Sequence, residues 1–336
     1  MSVKTETDIY TLVPDALPID GLSFRHFRDT SDYQAMADLI EISHLADGDE
    51  YLPDATGLQI DYEHTPAFDP AVDFLFAEVD GRLVGYGAVD RQEREKVVYH
   101  MTGIVHPDYR RRGLGRAILR RNEARLREIA AGHDDPAGRE YGADAGDRES
   151  GARELFLSEG YRPVRHYFTL KRADLDDLPQ ASVPDGIELR PLEPPAHRAV
   201  FDASNEAFRD HWDHRESTEE HFTAFFQSPD LEPDLCRIAW AGEEVAGSVL
   251  TFVWKNENAK LGQQRAWFER ISVRRPWRRQ GLARAMIVSA MAAVRAANLD
   301  AVMLGVDSEN PTGALQLYVS LGFTVDDSGT AFRKSW

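Results

Sequence analysis

Hydrophobic and polar positions follow the same order twice along this chain: a short strand, helical stretches, a strand pair, a long apolar strand and a further helix. In the first round, strands are predicted at residues 22–27, 74–78, 83–90, 97–105 and 164–170, and helices at residues 29–42 and 116–130, with short helices inside 54–73 and after Leu155. Asp80-Gly81 between the second and third strands is a strong hairpin signal. Residues 131–151 are rich in Gly, Asp and Arg, so a buried strand is expected there only by analogy with the second round.

The second round shows the pattern more clearly. Its strands are predicted at residues 187–190, 238–240, 245–254, 266–273 and 301–306, with a last strand starting at 322, and its helices at 195–208, 218–227, 284–297 and 311–321. A loose lead-in covers residues 1–20, and an Asp- and Pro-rich stretch between the rounds predicts a linker. The pattern therefore predicts an N-terminal domain at residues 1–172, a linker at 173–186 and a C-terminal domain at 187–336.

One six-residue motif stands at the same place in both rounds, after an apolar strand and before a helix. It reads Arg278-Arg279-Gln280-Gly281-Leu282-Ala283 in the second round and Arg110-Arg111-Arg112-Gly113-Leu114-Gly115 in the first, and the two glycines are 168 residues apart. Glycine lets the backbone come close to a ligand, and the unpaired N–H groups of a first helical turn favour an anion such as phosphate. Because the context is repeated as well as the motif, the chain is predicted to be a duplication.

Composition narrows the class of protein. The chain has 336 residues, 42% of them hydrophobic and 29% charged, which is enough for two globular domains. A net charge of −18 argues against a general nucleic-acid binder and favours cationic partners. The single cysteine, Cys236, excludes an intrachain disulfide, and its apolar neighbours predict a buried thiol. No run is long enough to span a membrane and residues 1–10 lack an apolar leader, so a cytoplasmic protein is expected.

Two motifs of the second half resemble signatures of the GNAT family of acyl-CoA N-acyltransferases. The family's [QR]-x-x-G-x-[GA] pyrophosphate loop is matched by Arg278, Gly281 and Ala283. The other signature is matched near the C-terminus by Asn310-Pro311-x-x-Ala314-Leu315-x-Leu317-Tyr318-x-x-x-Gly322-Phe323. The resemblance implies two tandem α/β domains, each a twisted, mostly antiparallel mixed sheet flanked by helices, with splayed central strands. Tandem arrangements of this kind resemble the mycothiol synthase group of bacterial acetyltransferases.

The resemblance also implies acetyl-CoA as co-substrate, with its pantetheine between the strands at 266–273 and 301–307. In the second half, it implies cofactor contacts from Ile271, Ser272, Val273, Arg278, Arg279, Gln280, Gly281, Leu282, Ala283, Arg284 and Asn310. In the first half, the corresponding weaker set is Ile104, Val105, Arg111, Arg112, Gly113, Leu114 and Gly115.

Two residues are predicted to move protons. Tyr318 matches the family's general acid, which protonates the departing thiolate, and the alternative is a packing role on its helix. Glu269 has the same strand parity as Ile271, so it is placed to take a proton from the acceptor ammonium. The alternative for Glu269 is a surface carboxylate paired with Arg270 or Arg274.

The first half lacks both groups. By alignment of the glycines, Phe156 stands at the position of Tyr318 and Met101 at that of Glu269. This half therefore keeps the anion loop but is expected to be non-catalytic.

The acceptor is expected to contact the loop between the first two helices of the second half, through His211 and Trp212, with ordinary loop packing as the alternative. His211 and His214 have no third ligand in a recognisable pattern, so no metal is expected.

Taken together, these features favour an enzyme that transfers an acetyl group from acetyl-CoA to a primary amine of a small molecule, resembling an amino sugar or amino acid, by direct attack. Two alternatives stay open: a non-catalytic CoA-binding regulatory protein, and an acetyltransferase acting on a protein or peptide amine. No nucleic-acid or membrane partner is expected.

Overall fold

A computed structural model describes residues 19–94, 96–136, 138–212, 214, 216–310 and 312–336. The predicted lead-in lies almost entirely outside these residues, as does Pro311 at the predicted start of a helix. The chain forms two compact units. The first runs to Val164 and also contains Gly329–Trp336, and the second is Arg165–Ser328.

The predicted strands and helices all have counterparts in the structure. The strands are β1 (Leu22–Arg25), β2 (Phe74–Val79), β3 (Arg82–Gln92), β4 (Val97–Val105), β5 (Arg139–Gly146), β6 (Arg162–Arg172), β7 (Ile187–Arg190), β8 (Arg237–Ala241), β9 (Glu244–Phe252), β10 (Arg265–Val273), β11 (Ala301–Asp307) and β12 (Thr324–Ser335). The helices are α1 (Ser31–Asp47), α2 (Ala55–Glu63), α3 (Pro70–Asp73), α4 (Leu114–Ala130), α5 (Ser150–Ser158), α6 (His197–Phe208), α7 (Glu219–Gln227), α8 (Lys255–Leu261), α9 (Leu282–Ala296) and α10 (Ala314–Ser320). Helix α8 has no counterpart in the sequence prediction.

The sheet of the first unit has the strand order β1-β2-β3-β4-β5-β12. Neighbouring strands are antiparallel except β4 and β5, which are parallel. Their parallel pairing joins residues 97–100 to residues 139–142 and then stops, so the two strands separate towards their C-terminal ends. Helix α4 packs on β3 and β4, and a Cβ atom at Gly87 would lie 2.7 Å from Ile118 Cγ2. Glycine is therefore needed at Gly87 for the helix to approach the sheet.

The sheet of the second unit repeats this design in the order β6-β11-β10-β9-β8-β7. The parallel pair is β10 and β11, joined only through residues 265–267 and 301–303. Ala266 and Phe268 pack in one core cluster with helix α9, whereas Trp267 packs in another with residues of α6 and α7. Since side chains alternate along a strand, α9 covers one face of this sheet and α6 and α7 cover the other.

The last strand of each predicted domain, β6 or β12, does not pair within the domain to which the sequence assigned it. Strand β6 pairs with β11 of the second unit through residues 167–172, and β12 pairs with β5 of the first unit through residues 329–335. Residues 165–172 thus count with the second unit and residues 329–336 with the first. The predicted domains, 1–172 and 187–336, differ from the units at these strands because the local pattern of a strand does not specify its partner.

Three smaller expectations, on the hairpin, on the strand within residues 131–151 and on the buried thiol, are confirmed. The hairpin between β2 and β3 has φ of 49° at Asp80 and 79° at Gly81, the left-handed conformation that this dipeptide favours. The strand expected within residues 131–151 is β5, and Cys236 is fully buried. In the part of the chain that the structure describes, no helix is long and apolar enough to cross a membrane.

Candidate active site

The central strand of the second unit combines a gap on one side with a bulge on the other. After Trp267 and Met303, β10 and β11 no longer pair. Against β9, the register of β10 shifts between Phe268 and Arg270, so that Glu269 is the extra residue. Bulges of this kind are common next to active sites because they redirect side chains.

The bulge corrects the argument that placed Glu269. The prediction assumed unbroken alternation from Glu269 to Ile271, and the extra residue interrupts that alternation. The Glu269 side chain is exposed, while Ile271 is partly buried against the core cluster below α9. Shared parity with Ile271 therefore no longer supports a position for the carboxylate.

The predicted anion loop of the second unit, residues 278–283, has a defined backbone. Gly281 precedes helix α9 with φ of 84°, and Arg279 has φ of 63°. No heavy atom lies within 4 Å of where a Cβ of Gly281 would stand. The first unit repeats this geometry before α4, with φ of 87° at Gly113 and 61° at Arg111. The two loops are therefore alike in backbone as well as in sequence.

The side chain of Arg278, the first arginine of the second motif, holds its own loop in place. Arg278 donates from Nε to the carbonyl of Val273 at 2.9 Å, from Nη2 to that of Ala207 at 3.0 Å, and pairs through Nη1 with Asp210 at 2.5 Å. Its guanidinium fastens the loop to the end of β10 and to α6. Hydrogen bonds from Arg275 and Arg278 hold the pKa of Asp210 well below its usual range.

Arg110 is used in the same way in the first unit. It donates to the carbonyl of Val105 at 3.1 Å and to the hydroxyl of Ser43 at 2.6 Å, and pairs with Asp47 at 2.7 Å. The first arginine of the motif thus clamps the loop in both units.

The remaining predicted cofactor residues of the second unit surround the start of α9. Arg284 donates to the hydroxyl of Ser320 at 3.1 Å, and Gln280 donates to the carbonyl of Pro276 at 2.9 Å. Arg279 is exposed, Leu282 is buried and Ala283 is partly buried. On β10, Ser272 is buried and its hydroxyl lies 2.9 Å from that of Ser248. These contacts hold the loop and strand in place.

Tyr318 lies on α10, the helix that follows the gap. Its side chain is buried in the core cluster that includes Val306 of β11, with its ring edge towards Phe323 at 6.0 Å between centroids. Burial raises the pKa of Tyr318. Asn310 precedes this helix and accepts hydrogen bonds at Oδ1 from Thr312, from N–H at 2.9 Å and from the hydroxyl at 2.5 Å. Asn310 therefore shapes the turn that leads to Tyr318.

The predicted acceptor loop reaches the C-terminal end of β11. The ring of His211 packs on Phe208 with centroids 4.3 Å apart, and burial, with Arg278 nearby, lowers the pKa of His211. The guanidinium of Arg165 lies 5.2 Å from the ring centroid of Trp212 and pairs with Asp307 at 2.9 Å. Arg165 was not among the predicted site residues, because it stands on a strand predicted for the other domain.

The first unit differs at the corresponding places. Phe156 packs against Phe332 in its core, and β3 and β4 pair from Val98 to Val105 without a register shift. Its loop cations are engaged by acids of α5 and the residue after it: Arg111 with Glu154 at 2.7 Å, and Arg116 with Glu159 at 2.7 Å. Arg112 lies 5.6 Å from the ring centroid of Tyr109, Ile104 and Leu114 are buried, and a Cβ atom at Gly115 would lie 3.5 Å from Leu155 Cδ2. This unit has the loop without a tyrosine at the matching position.

In the described residues, no cluster of three or more His, Cys, Asp or Glu side chains has a geometry that would hold a metal ion. His214 pairs with Glu216 at 3.6 Å.

Comparison with known proteins agrees with this duplicated geometry. The profile of the acetyltransferase (GNAT) family matches residues 34–133 and 197–323, one stretch in each unit. Mycothiol acetyltransferase from Salinispora arenicola is 29% identical over 320 residues, covering 91% of this chain and 95% of that protein. A GCN5-related N-acetyltransferase from Sphaerobacter thermophilus has a TM-score of 0.73 at 27% identity, covering 95% of this chain and 96% of that one.

A tandem GNAT protein from the clavulanic acid biosynthesis pathway shares the fold, with a TM-score of 0.65 at 18% identity over 94% of this chain and 98% of that one. Because the family profile covers most of both units and these similarities extend over nearly the whole chain, the protein belongs to the GNAT family and is a tandem acyl-CoA-dependent N-acetyltransferase.

Proposed function

We propose that the protein transfers the acetyl group of acetyl-CoA to the primary amine of a small molecule, and that the second unit performs the transfer. The GNAT family generally uses acetyl-CoA. Similarity to proteins named mycothiol acetyltransferase supports a small acceptor with amino-sugar or amino-acid character. The gap, loop and tyrosine described above supply the physical basis.

The loop before α9 suits the pyrophosphate of acetyl-CoA. The first helical hydrogen bond runs from Ala285 N–H to the Gly281 carbonyl at 3.0 Å, so the N–H groups of residues 282–284 precede the helical ladder. These groups and the positive end of the helix dipole favour an anion. The open space over Gly281 allows a ligand to approach the backbone.

The gap between β10 and β11 suits the pantetheine arm and the thioester. Beyond Trp267, the backbone groups of β10 that face β11 have no pairing with that strand. A backbone N–H around Ile271 or Val273, directed at the thioester oxygen, would stabilise the oxyanion that forms when the amine attacks. Asn310 uses Oδ1 within its own turn, which leaves its amide nitrogen as the group to offer to the cofactor.

Proton transfer completes the reaction. The attacking amine must be neutral, and the exposed carboxylate of Glu269 in the bulge is our candidate to remove its proton, directly or through water. The C–N bond forms, the C–S bond breaks, and the Tyr318 hydroxyl donates a proton to the departing thiolate. The nitrogen of the new amide releases its extra proton to water, and water returns a proton to the Tyr318 phenolate. Burial weakens Tyr318 as an acid, but the same apolar surroundings also raise the proton affinity of a thiolate beside it.

We assign the reaction to the second unit because of Tyr318. Both units have separated central strands and a glycine at the start of the following helix. Only the second has a tyrosine on the helix beyond the gap, where the first has Phe156.

Replacement of the hydroxyl tests this proposal. We expect Tyr318→Phe to lower kcat at least tenfold with little change in the KM for acetyl-CoA, because the hydroxyl is needed when the thiolate leaves. Steady-state release of the CoA thiol with a panel of amines is the measurement.

Tyr161→Phe is the matched control, since it removes another buried tyrosine hydroxyl, which donates to Glu123 at 3.1 Å in the first unit. We expect a loss of stability without a loss of kcat. Equal activity of Tyr318→Phe and the unmodified enzyme would contradict the role of Tyr318. Failure of every amine in the panel to support turnover would contradict the proposed function.

A further inference from the structure

Arg270 is a cation of the central strand that the proposed reaction does not use. It follows the bulge of β10, and its guanidinium carbon lies 5.1 Å from the ring centroid of Phe208, 5.9 Å from that of Phe225 and 6.0 Å from that of Phe201. These rings belong to α6 and α7, so Arg270 extends towards the face of the sheet opposite to α9. An arginine is thus held among three aromatic rings beside the candidate catalytic strand.

No carboxylate pairs with Arg270 in the described part of the chain, which sets it apart from its neighbours. The other arginines of β10 and the following loop that have acidic partners are Arg265 with Glu257, Arg274 with Glu206, and Arg275 and Arg278 with Asp210. Burial lowers the pKa of Arg270 to about 10, so it still carries its charge at neutral pH. The rings offset part of the cost of burying this charge, but a ring face does not replace an oxygen acceptor for the five N–H donors of the guanidinium.

More polar atoms without partners lie on the same surface. Phe201, Ser204, Asn205 and Phe208 follow the i, i+3, i+4, i+7 spacing of one helix face on α6. Since Arg270 contacts both phenylalanines, the two polar residues lie between the points where the guanidinium meets this helix. Ser204 Oγ and Asn205 Oδ1 are buried, and neither has a hydrogen-bond partner among the described residues.

Trp267 adds a further donor. Its indole Nε1 is buried and likewise lacks a hydrogen-bond partner in the described chain, and its ring packs in the same cluster as Phe225, which also contacts Arg270. The Ser204 hydroxyl and the Trp267 indole can both donate to a ligand, whereas Asn205 Oδ1 can only accept. Buried polar groups are normally satisfied, so unsatisfied donors on the surface that Arg270 contacts point to a ligand that is bound during function.

We propose that Arg270 binds an anionic oxygen group, a carboxylate or a phosphate, carried by the acceptor amine. This inference rests on the proposed function and narrows its acceptor to amines that also bear such an anion. Arg270 is adjacent to Ile271, and consecutive Cα atoms are about 3.8 Å apart, so an acceptor anchored here would be held close to the proposed thioester site. The first unit has Thr102 at this position, so it lacks the corresponding cation.

Charge-matched acceptors test the proposal and distinguish the two anion types. One pair is glucosamine 6-phosphate and glucosamine, and the other is L-alanine and L-alaninamide. The measurement is kcat/KM for each amine by thiol release, with the unmodified enzyme, Arg270→Gln, Arg270→Lys and Arg295→Gln. Arg295, on α9, pairs with Asp176 at 2.8 Å and serves as the cation control.

We expect the unmodified enzyme to prefer the anionic member of at least one pair by tenfold or more, because a paired guanidinium and anion form charge-assisted hydrogen bonds. Arg270→Gln should remove this preference by lowering kcat/KM for the anionic member alone. Arg270→Lys should retain part of it, and Arg295→Gln all of it. Comparison of ratios between variants cancels the intrinsic reactivity of each amine.

Equal kcat/KM ratios for the unmodified enzyme and Arg270→Gln would overturn the inference while leaving the proposed function intact. If none of these amines is turned over, the proposed function is contradicted, and a direct binding measurement then tests the role of Arg270. Calorimetry with glucosamine 6-phosphate and L-alanine should show binding that Arg270→Gln weakens at least tenfold and Arg295→Gln does not. Binding that is equal in all three proteins, or absent from the unmodified protein, would overturn it. Should Arg270→Gln fail to fold, Arg270→Lys is used in its place.

Discussion

Gly113 and Gly281 show how one residue type in one backbone conformation shapes the two predicted anion loops. Both precede a helix in the left-handed region, with φ of 87° and 84°. An alanine in this region costs about 1 kcal/mol relative to glycine, whatever space surrounds it. The space over Gly281 is open, so its replacement would introduce no clash within the protein.

We therefore expect Gly281→Ala to lower the free energy of unfolding by only about 1 kcal/mol and to raise the KM for acetyl-CoA at least tenfold. The added methyl group would stand where the pyrophosphate is proposed to approach the backbone. Urea unfolding and steady-state kinetics measure the two effects. Gly113→Ala is the control with the same backbone cost, and a similar rise in KM from this variant would place the functional loop in the first unit.

At the scale of the strand, the two parallel strands separate in the sheet of each unit, but the two pairs are held together differently. In the first unit, the last parallel pair joins His100 of β4 to Gly142 of β5. The imidazole of His100 lies 2.8 Å from Asp144 of β5 and 3.3 Å from Asp90 of β3. A charged histidine thus links three strands at the point where backbone pairing ends.

This link makes the first unit sensitive to alkaline pH. Burial opposes the charge, but hydrogen bonds to Asp144 and Asp90 outweigh it and raise the pKa of His100 from 6.5 to about 9. The pKa is higher in the folded state, so its contribution is complete below about pH 6.5 and is lost as the pH rises through about 9. The shift corresponds to at most about 3 kcal/mol, and solvent around Asp144, whose side chain is 55% exposed, reduces this.

We expect His100→Gln to destabilise the protein at pH 6 and to have little effect at pH 10, measured as the difference in free energy of unfolding from the unmodified chain. Gln retains a hydrogen-bonding group of similar reach without the charge. A difference that is the same at both pH values would mean that packing, rather than the imidazolium, accounts for the contribution of His100.

At the scale of the whole chain, the C-terminus completes the first unit. Strand β12 pairs with β5, and Lys334 pairs with the largely buried Glu123 at 2.7 Å. The indole of Trp336 stacks on Tyr141 with centroids 4.5 Å apart and an interplanar angle of 8°. The first unit therefore depends on residues that come after the whole second unit in the sequence.

Removal of residues 329–336 is expected to expose the edge of β5 and to destabilise the first unit by several kcal/mol, through lost strand pairing and apolar burial. Hydrogen exchange should show amides of β5 losing protection while those of β11 keep it. The milder variant Trp336→Ala should cost about 1 kcal/mol, the typical value of an aromatic pair. Loss of protection in β11 instead of β5 would support the domain division predicted from sequence.

The local pattern of hydrophobic and polar residues was enough to predict the order of the strands and helices and the duplication of the loop. Strand β5 is the instructive case: it is short of large aliphatic residues, and Gly142 is required there because a Cβ would overlap Val98 of β4. A strand selected for close approach carries little hydrophobic signal, so it was expected only by analogy.

The candidate site was less predictable because it depends on pairing between distant residues. Arg278 matched a motif, yet its side chain is used for a clamp to Asp210, 68 residues earlier. Glu269 was placed by alternation, which a bulge against β9 interrupts. Arg270 was considered only as a partner for Glu269, and its aromatic surroundings come from two helices elsewhere in the sequence.

The sequence by itself determined that this protein has two GNAT-type halves, each with the same glycine-containing loop before a helix, and that the tyrosine is in the second. These features are set by residue type and short-range spacing, which act through local backbone conformation. Only the tertiary structure decided which closing strand joins which sheet, where the central strand bulges and which arginines are paired. Strand partners and ion pairs depend on contacts between residues far apart in the chain, and alternative pairings of similar local pattern are separated only by the packing of the whole unit.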